Sequence, residues 1–246
     1  MSKPADSALD ATAFILPLIL FLVIASFYPA FSTFDAGSGE PATPGAANLY
    51  VSLVAAQVLI AGSLIGYFHA VYIRHFPLRC SLLSIVVGIV GVVLWVGLCE
   101  LHIERTILES IGLKSWTNVR PAFNPFESLP DTSFRNLFLV LRFTLMALMV
   151  PVVEELFLRG WLVRWMEDPN WESIGLKSLS WGALLTPSVY GVITHPTEAI
   201  AAFVWFGLVS WLMWRTGNLW DCIVAHAVTN LLLAIYVVQY SAWHLW

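Results

Sequence analysis

The sequence predicts an all-α, polytopic membrane helix bundle, and three observations carry that reading. Hydrophobic residues make up 59% of the 246 and charged residues only 11%, against about 25% charge in a soluble domain. Several apolar windows approach or exceed the ~20 residues that a helix needs to cross a bilayer. They are rich in Leu, Val, Ile and Ala, and lack the ten-residue alternation of a membrane β-barrel. Finally, Glu154 and Glu155 stand side by side inside one such window. An ionisable group there costs roughly 2.5–3.5 kcal/mol, which marks it as functional and facing protein or a wet cavity. Residues 1–246 read as one integral membrane domain. A net charge of −4 and a pI near 5.8 suggest neither a nucleic-acid partner nor a polybasic lipid-binding face.

The first span runs from Ala11 to Phe31. It follows MSKPADSALD, whose single Lys against two Asp lacks the positive start of a signal peptide, so the span is expected to be retained. Asp35 to Asn48, rich in Gly, Pro, Ala and Ser, is an exposed loop. The second and third spans are Leu49 to Ile73 and Ser81 to Leu101. His102 to Arg135 is the longest polar stretch. Its Trp116, Phe123 and Phe126 among Pro121, Pro125 and Pro130 suggest an interfacial loop or short amphipathic helix. Leu137 to Met166 is too long for one perpendicular crossing, since ~1.5 Å per residue carries it past a ~30 Å core. It must tilt or project, and with Arg142 and Arg164 at its interfaces the glutamates fall near the midplane. Leu179 to His195, Ala199 to Arg215 and Leu219 to Tyr240 complete a set of about seven. A further helix within His102 to Arg135 would make eight.

Basic residues assign the sides, because cytoplasmic loops carry the Lys/Arg excess. With the N-terminus inside, Lys3, Arg74, Arg79, Arg164, Lys177 and Arg215 are cytoplasmic, with Arg159 near them, and Arg105, Lys114, Arg120 and Arg135 lie opposite. The cysteines Cys80, Cys99 and Cys222, odd in number and without metal-ligand spacing, read as buried small hydrophobes.

The chemistry sits in three places. In PVVEELFLRGW, Glu155 and Arg159 are at i and i+4, the order that lets a carboxylate reach a guanidinium on one helix face. Glu154 lies about 100° around the helix, so it can point elsewhere and handle a proton. In DCIVAHAVTN, His226 and Asn230 again share a face, a donor pair suited to the negative oxygen of a tetrahedral intermediate. Between them, in SVYGVITHP, His195 ends the fifth apolar run. Glu154, His195, His226 and Asn230 therefore come from three helices, as an assembled intramembrane site requires.

Glu-Glu-x3-Arg, a His some forty residues on, and His-x3-Asn in the last apolar helix together resemble the CAAX-protease and bacteriocin-processing family of intramembrane glutamate proteases. The likeness covers roughly Leu145 to Leu233. It implies a conical catalytic cavity, water activated by Glu154 with His195, an oxyanion site at His226 and Asn230, and Glu155 with Arg159 as a supporting pair. One departure is Gly191, where the family usually has Phe four residues before its His; Tyr190 is adjacent. The RPAFNPF stretch at Arg120 to Phe126 is similar to a subgroup of CAAX prenyl protease-related proteins that accompanies exosortase sorting systems.

The expected activity is hydrolysis of a peptide bond near the membrane surface, with residues 136–240 as the catalytic helices and a cavity open to the cytoplasmic side. The substrate would be a peptide or protein with a membrane-associated tail, and membrane lipid would be the surroundings. The resemblance favours water activated without a cofactor or metal, and the His-Glu-x2-His helix of zinc proteases is absent. The expected location is the inner membrane of a bacterium. The rival class is non-enzymatic: a proton-coupled transporter, or an immunity or scaffold factor, since buried Glu and His also serve proton relays. Blander roles compete residue by residue. Glu154, Glu155 and Arg159 would form an ion cluster at an interface, His226 and Asn230 would be interhelical glue, and His195 would be part of a polar turn. His69, Glu100, His102 and Glu104 read as helix-end residues, and Trp161, Trp165, Trp181, Trp214 and Trp220 as interfacial anchors.

Overall fold

Every described element of the computed structural model, which covers residues 4–28, 43–110 and 123–246, is a helix, a turn or an irregular connection. The helices are α1 (Pro4–Ala25), α2 (Pro44–His75), α3 (Leu82–Glu100), α4 (Ile103–Ser110), α5 (Pro125–Ser128), α6 (Thr132–Glu167), α7 (Trp181–Thr194), α8 (Ala199–Thr216) and α9 (Leu219–Tyr240). Their starts follow local chemistry. Thr43 accepts from Ala46 N ahead of Pro44, Asp131 from Phe134 N, Ser180 from Ala183 N and Asn218 from Trp220 N, each satisfying a helix-end donor. Between α8 and α9 the chain reverses at Gly217, whose φ of 65° suits a residue without Cβ.

Each of the seven apolar runs forms a helix. Five (α2, α3, α6, α8 and α9, with the turn before α8) are long and apolar enough to cross a membrane. The first is shorter over its apolar part, Leu9–Ala25. The fifth shrinks to the 14 residues of α7, about 21 Å at 1.5 Å per residue. Between α3 and α6, the described helices are only the short α4 and α5. Trp116, Pro121 and the Arg120 to Ala122 part of RPAFNPF lie outside the described residues. Phe123 is not interfacial: it is buried, with its ring 5.0 Å from Tyr50 and 5.2 Å from Phe138.

Outward-facing Leu59, Leu82, Val93, Val140 and Ile193 are exposed, the apolar belt expected of a surface solvated by lipid. Inside, α3 lies so close to α9 that a Cβ on Gly88 would stand 2.7 Å from Ala225 O, and one on Gly91 2.7 Å from Thr229 Oγ1. Small residues permit this approach. Thr229 Oγ1 uses it, donating to Gly88 O at 2.9 Å while accepting from Trp205 Nε1 at 3.2 Å.

Basic residues occupy both ends of the bundle, with Arg135 and Arg142 toward the end opposite Arg74, Arg79 and Arg164. One end joins Arg74 and His75 to Asp10, Arg79 O to Asn218, and Arg164 to Ile174 O, Gly160 O and Glu172 O. The other end carries Tyr28, Phe143 and Trp246, and Glu104, whose carboxylate accepts from Ile200 N near the start of α8. His69, Glu100 and His102 are exposed. Of the cysteines only Cys222 is buried; Cys80 is exposed in the turn before α3 and Cys99 is half-buried. Two of the three expected buried thiols are thus corrected, because both flank the ends of α3 rather than its packed face.

Candidate active site at a distorted helix

Helix α6 is not regular where the glutamates sit. Its backbone widens into π-helical turns over Leu145–Met149 and again over Leu156–Leu162, a distortion that recurs at functional sites. The first has a chemical cause. Val150 N bonds Leu145 O, five residues back, so in that register Met146 O would look to residue 151, which is Pro151 and has no N–H. Asn230 Nδ2 fills the gap, donating to Met146 O at 2.9 Å. One amide hydrogen of Asn230 is thereby committed to holding α9 against α6, and its second remains.

Behind the site lies a dry ionic triad. Arg159 Nη1 donates to Glu155 Oε2 at 2.5 Å, and both side chains are fully buried. The same guanidinium donates to Phe206 O at 2.9 Å. Glu155 Oε1 faces His226 Nδ1 at 3.0 Å. A carboxylate already paired with an arginine is an acceptor, so Nδ1 carries the proton in this contact and the ring orientation is fixed. The other ring nitrogen, Nε2, lies 4.0 Å from Glu154 Oε2. Tyr190 donates its hydroxyl proton to Glu154 Oε1 at 3.2 Å, and Trp205 packs edge-on to His226 at 4.5 Å.

In front lies a cavity of about 370 Å³ lined by Glu154, Tyr190, His195, His226 and Asn230 among others. The four residues singled out as catalytic in the sequence therefore share one wall. Glu155 and Arg159 do not reach it. His195 is held by Nδ1 contacts to Gly191 O at 3.2 Å and Thr194 Oγ1 at 3.0 Å, and stacks edge-on to Trp95 at 5.4 Å. The glycine at position 191 has a steric explanation. The Phe206 ring occupies that space, so a Cβ there would stand 2.3 Å from Phe206 Cδ2.

Sequence reasoning missed the contact of His226 with Glu155, which only the fold brings together across 71 residues. It also left Tyr190 without a role and overlooked Trp205. The one available signal was Tyr190, a polar aromatic next to the departure at Gly191. The cavity wall also includes Tyr28, Arg142 and Trp246, at the ends of their elements remote from Arg74, Arg79 and Arg164. The cavity therefore extends toward the end of the bundle opposite Arg74, Arg79 and Arg164. Among the described residues, no group of three His, Cys, Asp or Glu is arranged to hold a metal ion.

Residues 136–232 match the family model described as Type II CAAX prenyl endopeptidase Rce1-like. That segment is similar to this endopeptidase family. It contains Glu154, Glu155, Arg159, His195, His226 and Asn230, whereas Tyr28, Trp95 and Trp246 on the cavity wall lie outside it. The likeness indicates a peptidase, with a peptide or protein as substrate, and the apolar helices an integral membrane protein. No curated protein and no solved structure matched it.

Proposed function

We propose that the chain hydrolyses its substrate by direct attack of water activated by Glu154. The observation that carries this reading is the 4.0 Å separation of Glu154 Oε2 and His226 Nε2 on the cavity wall. That gap is too long for a direct hydrogen bond, and it suits a water oxygen about 2.8 Å from each. Glu154 takes a proton as the water oxygen bonds to the substrate carbonyl carbon. The tetrahedral oxyanion then receives hydrogen bonds from His226 Nε2–H and the uncommitted N–H of Asn230. With Nδ1–H already donated to Glu155, Nε2 donates only as imidazolium. Glu154, Glu155, Arg159 and His226⁺ then sum to zero charge. Collapse breaks the C–N bond, and Glu154 returns its proton to the leaving amine. Tyr190 orients the carboxylate, and His195 offers Nε2 to the same water.

The substrate reading is a membrane-tethered peptide or protein tail entering the cavity, with residues 136–240 as the catalytic helices and a bacterial inner membrane as the setting. The test is a peptide library incubated with purified protein in liposomes made up in H₂¹⁸O. One ¹⁸O in the new carboxyl group of each N-terminal product is expected, and an absence of cleavage across the library would overturn the reading.

A further inference from the structure

Among the described residues, the half-buried or buried arginines are matched to oxygen acceptors, with one exception. Arg135 meets Leu129 O and Thr132 Oγ1, Arg159 meets Glu155, and Arg164 meets three carbonyls. Arg142, half-buried on the cavity wall, has no such partner among the described residues. Its Nε is shielded from solvent with nothing to bond, as are those of Arg135 and Arg159, but unlike theirs its Nη1 and Nη2 have no oxygen partner either. Its guanidinium lies over the Trp246 ring at 5.7 Å, a contact that leaves the in-plane donors free. The neighbouring Tyr28 offers no anion, because its hydroxyl donates to Gln57 Oε1. Gln57 Nε2 is itself tied to Phe21 O at 2.9 Å.

A half-buried cation on a cavity wall without an anion beside it is an incomplete pair, and the group that completes it is planar and anionic. We infer that Arg142 is a subsite for a peptide carboxylate of the substrate. This rests on the peptidase reading of the same cavity and adds a ruler to it. Arg142 and Glu154 are twelve positions apart on one helix, at most ~18 Å at 1.5 Å per residue, since the π-helical turn at Leu145–Met149 between them shortens the rise. An extended peptide covers that distance in about five residues at ~3.3 Å each. The carboxylate therefore belongs four to six residues from the bond that Glu154 addresses. It is either the chain terminus or an Asp or Glu side chain.

The experiment compares kcat/KM for matched peptides on purified protein in phosphatidylcholine liposomes. One pair differs by a C-terminal acid or amide, and a second pair by Glu or Gln placed four to six residues from the cleaved bond. The wild type should prefer the carboxylate member of one pair by about tenfold, and the pair that responds identifies the source. In Arg142→Gln the preference should fall toward unity, and in Arg142→Lys it should be partly kept. A wild-type ratio near one for both pairs, or a ratio unchanged in Arg142→Gln, overturns the subsite. So does an Arg142→Gln effect seen only as a lost response to added phosphatidylglycerol, which would assign the arginine to a lipid phosphate. Binding of the same fluorescent peptides to Glu154→Gln protein separates the two claims. Carboxylate-dependent binding that needs Arg142, without cleavage by the wild type, keeps the subsite and removes the peptidase mechanism.

Discussion

Replacing Arg159 with Met should be among the most damaging single changes in this protein. Both Arg159 and Glu155 are fully buried, and the guanidinium also serves Phe206 O. Methionine keeps much of the volume but leaves a buried carboxylate facing only His226, and breaking a buried pair from one side costs about 3–5 kcal/mol. Removing both charges in Glu155→Gln/Arg159→Met leaves no unpaired ion, so a large part of that loss should return. Arg74→Met is the matched control. Its pair with Asp10 involves an arginine side chain that is 60% exposed, and such a pair is worth about 0–1 kcal/mol. Equilibrium unfolding in mixed micelles measures all three. The reasoning fails if Arg159→Met costs no more than Arg74→Met, or if the double variant is no more stable than the single one.

Further outcomes follow from the packing and the site. Gly91→Ala should destabilise by about 1–3 kcal/mol, since the new Cβ would meet Thr229 Oγ1 and Trp205 Nε1 within 2.8 Å; unfolding of the purified variant checks this. Tyr190→Phe removes one hydrogen bond to Glu154 without changing ring packing. It should lower kcat by about tenfold while leaving the melting temperature near that of the wild type, as steady-state kinetics and a thermal melt would show. If the basic end is cytoplasmic, an impermeant maleimide on intact cells should label Phe126→Cys and leave Cys80 unlabelled until permeabilisation. The opposite pattern would put the cavity mouth on the cytoplasmic face.

The helices were legible because their signal is one-dimensional. Runs such as Leu219 to Tyr240 need only length and apolarity to be seen, and α9 spans those very residues. The Glu155–Arg159 pair was legible for a similar reason, as an i, i+4 relation within one helix. What could not be read depends on register between helices. Asn230 looks like a free donor in sequence, yet one of its hydrogens completes the backbone of α6, where Pro151 disrupts the usual bonding. The same holds for His226, whose partner Glu155 is fixed by how α9 leans on α6. The direction in which the cavity extends could not be read either, since residues such as Arg142 and Trp246 join its wall only once the helix ends are assembled.

Glu154→Gln is the most direct test of the central claim. The amide keeps the size of the carboxylate and can still accept from Tyr190, so the variant should insert, purify and melt like the wild type. It cannot take a proton from water, so cleavage of a peptide that the wild type hydrolyses should fall to background. Proteolysis retained within tenfold of the wild type in purified Glu154→Gln protein would contradict the account.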